Sequence, residues 1–84
     1  VDMEKCMNNY ANLCMATHIF TNINEQVHRE MTEDENLRVV AQNFSFALRQ
    51  YQEEVPLRIQ KRLEGNGQIR HIRYLEKKLR AYQR

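Results

Sequence analysis

Residues 37–63 read LRVVAQNFSFALRQYQEEVPLRIQKRL. Leu37, Ala41, Phe44, Leu48, Tyr51 and Val55 follow one another in steps of four and three. That alternation is the seam of a helix packed along another helix. Val40 and Ala47 widen the stripe. After Val55 the apolar positions move to Ile59 and Leu63, a shift that coincides with Pro56. Proline removes one helical hydrogen bond and clashes with the preceding turn. The spacing predicts one helix over about 33–64, kinked near Pro56, with a full break there as the alternative.

Upstream, Met3, Cys6, Met7, Tyr10, Leu13, Cys14, Phe20, Ile23, Val27 and Met31 recur at helical spacing. A first helix is expected over about 2–31. Thr17 interrupts its stripe, and Asn8, Asn9, Asn12, Asn22 and Asn24 are poor interior helix formers. That helix depends on packing more than on propensity. Thr32 and Glu35 have the spacing of a capping box, and Glu33 and Asp34 suit a first helical turn. A tight antiparallel turn is expected there, with a single bent helix as the alternative. Downstream, Gly65 suits a helix stop and Asn66 a cap. A third helix over about 67–83 carries Ile69, Ile72, Leu75, Leu79 and Tyr82 on one face.

The chain thus reads as all-α, a single helical domain over 1–84: a coiled-coil-like antiparallel hairpin with a shorter third helix. Gly and Pro number three in 84 residues, and charged residues make up 29%. Both suit long helices with wet outer faces. A thirty-residue helix spans roughly 45 Å. The short third helix is expected to cover only part of such a hairpin, leaving a homodimer or another helical protein to complete the core. The chain begins without Met, so it is expected to be a fragment of a longer protein.

No run of 18 apolar residues occurs, so no transmembrane segment is expected. Cys6 and Cys14 are eight residues apart, roughly 12 Å along a helix, too far for a disulfide within it. Reduced thiols in a cytoplasmic or nuclear protein are the expectation.

Little points to catalysis. Cys14 and His18 have the i, i+4 spacing of a helical metal site, but two ligands do not make one. His28 and Glu25 suit a solvated i, i+3 contact. The sequence GNG lacks the strand before it and the Lys-Ser/Thr after it that a phosphate loop needs. Glu53 and Glu54 are adjacent, so they point about 100° apart on a helix and cannot act as an acid–base pair. No enzyme, cofactor or metal site is expected.

Charge is unevenly distributed. Residues 1–36 carry seven acids against Lys5 and Arg29, and residues 57–84 carry nine bases against Glu64 and Glu76. Within the latter, Arg70, Arg73, Lys77, Arg80 and Arg84 form one stripe at helical spacing, opposite the apolar one. Arg58, Lys61 and Arg62 add a second basic group. Like charges three and four apart repel, so the stripe calls for an acidic counterpart. An acidic protein surface, a nucleic-acid backbone and an anionic membrane are the candidates. No helix-turn-helix signature, zinc knuckle or aromatic platform accompanies the stripe, so nucleic-acid binding would be weak, salt-dependent and indifferent to base sequence.

In Gln50–Glu64, the spacing of Tyr51, Glu53, Arg58, Ile59, Gln60, Lys61, Leu63 and Glu64 resembles the end of the third regulatory helix of syntaxins. The match covers fifteen residues of types that heptad helices use freely, and Pro56 departs from it. No fold or function is carried over.

The expected function is protein–protein interaction or oligomerisation, serving scaffolding or subunit assembly, through the Leu37–Val55 seam. The alternative is a nucleic-acid-binding module using the basic third helix.

Overall fold

The computed structural model of the chain describes residues 1–30, 35–65 and 69–82. These form four helices and no strand: α1 (Met3–Glu30), α2 (Glu35–Glu54), α3 (Leu57–Glu64) and α4 (Ile69–Tyr82). The Thr32–Glu35 capping box and the Asn66 cap involve positions outside the described residues.

Helices α1 and α2 pack closely along their length. Phe20 meets Phe44, Tyr10 meets Tyr51, and Asn9 meets Glu54. As the α1 number falls the α2 number rises, so the pair is antiparallel. From α1 the core takes Cys6, Leu13 and Phe20; from α2, Leu37, Ala41, Phe44, Leu48 and Tyr51. Thr17 is buried among them. Its hydroxyl donates to the Leu13 carbonyl at 2.6 Å, so a polar residue fills a core position without an orphaned donor. Met3 and Met7, which the spacing assigned to the stripe, are exposed instead.

At Pro56 the helix ends rather than bends. Pro56 has φ −56° and ψ 145°, an extended ψ incompatible with a continuing helix. Steric exclusion by the proline ring also disfavours helical geometry at Val55. The last turn of α2 closes with Val55 N–H donating to the Tyr51 carbonyl, and α3 starts with Ile59 and Gln60 N–H donating to the Pro56 carbonyl. The Gln60 side chain reaches back to the Val55 carbonyl at 2.8 Å and braces the joint.

This break reverses the chain. Glu64 lies close enough to Tyr10 and Tyr51 to act on their hydroxyls. Tyr74 and Lys78 of α4 sit beside Asn24, Glu25, His28 and Arg29 near the far end of α1. Helix α4 touches both α1 and α2. Helices α3 and α4 therefore run back along the hairpin as one arm, parallel to α1. The molecule is a three-arm bundle of 44 × 20 × 20 Å. Its long axis matches the roughly 42 Å of the 28-residue α1.

Two expectations are corrected by this arrangement. Residues 33–64 do not make one kinked helix. The third layer is not a single short helix but two, α3 and α4. Val55, Ile59, Ile72, Leu75 and Leu79 complete the core from that arm.

Gly65 ends α3, but in a right-handed conformation, φ −58° and ψ −11°, with its N–H on the Lys61 carbonyl at 3.1 Å. The left-handed geometry that makes glycine the usual helix stop is not used.

Candidate interaction surfaces

All six predicted seam residues, Leu37, Ala41, Phe44, Leu48, Tyr51 and Val55, are buried within this one chain. They are part of the bundle's own core. A charge placed at Leu48 would strike the fold itself before any association. The heptad signal correctly marks residues that pack; it does not say against what.

The outer side of the α1–α2 hairpin carries a different feature, off the seam. Met15 and Ile19 on α1, and Val39 and Phe46 on α2, are exposed, Phe46 to 73%. Between the helices runs a groove of about 210 Å³, floored by Ala16, Val40 and Ala47 and walled by Met15 and Ile19. Asn12 and Asn43 supply its only polar side chains, and no lining residue is charged. Val39 and Phe46 stand four residues before and three after Asn43, so they rise beside the groove on α2. In a chain with 29% charged residues, an uncharged, largely apolar groove is the feature most unlike ordinary surface. Sequence reasoning missed it because Val39 and Phe46 fall between seam positions and read as incidental outward apolar residues.

The basic stripe is partly described. Arg73, Lys77 and Arg80 are exposed on α4. The side chain of Arg70, and Arg84 altogether, lie outside the described residues. Glu76 supplies an internal counter-charge, lying 3.4 Å from Arg73 and 4.0 Å from Arg80. Such exposed pairs contribute roughly 0–1 kcal/mol each. Lys77 has no ion pair among the described residues. Arg58, Lys61 and Arg62 are exposed on α3.

A polar cluster joins the three arms beside the core. Tyr51 is buried, and its hydroxyl makes no hydrogen bond of ordinary geometry. Burial chiefly, then the negative charge of Glu64, pushes its ionisation well above the usual tyrosine range. Tyr10 shifts the same way, first from burial and then through Cys14 and Glu64. Cys6 and Cys14 are free thiols, the first buried and the second half-buried. His18 is exposed, with Asn22 3.3 Å from its Nε2. His28 and Glu25 border the cleft between α1 and α4 without an ion pair between them.

Among the described residues, no helix is long and apolar enough to cross a membrane. No protein-family model matches the sequence, and comparison with curated proteins and with solved structures found no match.

Proposed function

We propose that this chain is a protein–protein interaction module, acting by binding rather than catalysis, and serving scaffolding or subunit assembly. The observation that supports this is the uncharged groove of the hairpin, lined by exposed Met15 and Ile19, with exposed Val39 and Phe46 nearby on α2. Aromatic and methionine side chains are enriched at the centre of interfaces. A photoreactive phenylalanine analogue at position 46 tests the reading. Cross-linked adducts are expected at 46 and not at exposed Gln52, about 120° around α2 from it. Equal yields at the two positions would refute it.

The second reading is nucleic-acid backbone binding through α4, favoured by Arg73, Lys77 and Arg80 on one exposed side. It requires affinity that falls steeply with salt and ignores base sequence. A mobility shift at low and moderate salt decides it, and Lys77→Ala with Arg80→Ala should then weaken all sequences alike.

A further inference from the structure

We propose that the partner seated on the α1–α2 face is a second copy of this chain, with Phe46 of each copy entering the groove of the other. The proposal rests on the docking reading above and names its occupant.

Three observations select a second copy. The face holds both a knob and a hole. Phe46 projects at 73% exposure, and the groove beside it has a volume of about 210 Å³. Apolar cavities of about 150 Å³ accommodate a benzene ring, so the groove has room for a phenylalanine ring. A two-fold axis between Phe46 and the groove makes the contact reciprocal, as an isologous dimer requires. The second observation is charge. No groove-lining residue is ionised, so the ring enters an uncharged site, with Arg49, three residues after Phe46, at its rim; the basic α4 side would instead oppose self-pairing. The third is size. The long side of the bundle measures 44 by 20 Å, room for the roughly 800 Å² per partner of a standard interface.

The pairing lays four helices side by side, α1 and α2 from each copy, with α3 and α4 on the outside. Asn43, exposed between Val39 and Phe46, then lies near the axis opposite its own copy. Any charge introduced there meets itself.

Sedimentation equilibrium of the full chain over a wide concentration range tests the proposal. Apparent mass should rise from 10.2 kDa toward twice that value. Phe46→Ser should weaken the dimer by at least about tenfold, given the apolar area lost at two equivalent positions. Asn43→Glu should weaken it too, with part of the loss recovered in high salt. Both positions are exposed, so far-UV circular dichroism, and melting at concentrations where parent and variants are all monomeric, should stay unchanged, separating lost pairing from lost folding. A monomer at every concentration overturns the second copy as occupant. A dimer indifferent to both substitutions overturns the face. In the purified chain, the photoreactive residue at 46 should give a self-adduct. Adducts only to other proteins in an extract would overturn self-pairing yet leave the docking reading standing. Adducts to nothing would remove both.

Discussion

The rings of Phe20 and Phe44 meet inside the hairpin with centroids 5.4 Å apart and planes inclined by 50°, and both side chains are fully buried. They sit near the middle of the α1–α2 contact, where a tilted aromatic pair contributes about 0.5–1.5 kcal/mol beyond its buried area. Two residues on, Phe46 faces solvent. The same residue type therefore has opposite roles on one helix, and substitution should separate them.

Phe44→Ala should cost about 3–5 kcal/mol, because it removes buried area and leaves a cavity. A domain of this size has roughly 4–13 kcal/mol in total. Phe46→Ala should change folding by less than about 0.5 kcal/mol. Urea denaturation of the two variants at low protein concentration checks this, and equal losses would contradict the assignment of the two faces.

Asn9 ties the start of α1 to the end of α2. Its side-chain amide donates to Glu54 at 2.9 Å and to the Lys5 carbonyl at 3.1 Å, with Lys5 Nζ 3.9 Å from the same carboxylate. Asn9→Asp would set two carboxylates against each other and raise the folded-state pKa of one of them. A raised folded pKa means stability is retained below the unfolded value, near 4, and lost as pH rises through the shifted value. The variant should melt lower than the parent at pH 7, with the gap narrowing toward pH 4. A gap independent of pH would show that the amide's packing, not its charge neutrality, is what counts.

Tyr51 gives a signature at the alkaline end. Its folded-state ionisation lies above the ordinary value of 10.0, through burial first and Glu64 second. The folded chain then holds this proton more tightly than the unfolded chain, so stability is fully present below pH 10 and falls above it. Tyr51→Phe should reduce the steepness of that fall. At neutral pH the substitution should be close to neutral or stabilising, because the hydroxyl it deletes lacks a well-formed hydrogen bond. Melting temperature against pH from 7 to 11, for parent and variant, measures both effects.

Gly65 is dispensable as a glycine. Its φ of −58° suits any residue, and an added Cβ would lie 3.4 Å from the Arg62 carbonyl oxygen and 3.5 Å from that of Lys61, in van der Waals contact. Gly65→Ala should stabilise by about 0.4–1 kcal/mol, chiefly by restricting the unfolded chain. A loss of stability of that size in thermal melts would instead point to strain at the end of α3.

The sequence by itself determined that the chain is helical and which side chains of α2 face inward. Steps of three and four leave one stripe to bury, and Leu37, Ala41, Phe44, Leu48 and Tyr51 are all in the core. It also located the event at Pro56, because a missing N–H and a steric clash act locally wherever the chain goes next. It could not give the direction taken. Val55, Ile59 and Leu63 keep helical spacing whether the helix continues with a kink or starts again in reverse, since periodicity records the face and not the axis. Only tertiary structure decided that α3 folds back, bringing Glu64 to Tyr51 and Tyr74 to the far end of α1. The same decision turned a seam expected to await a partner into the core of one chain. It left Phe46, two residues from the most buried aromatic of α2, standing beside an uncharged groove. Burial is a property of what lies opposite a side chain, and a single helix does not specify what lies opposite it.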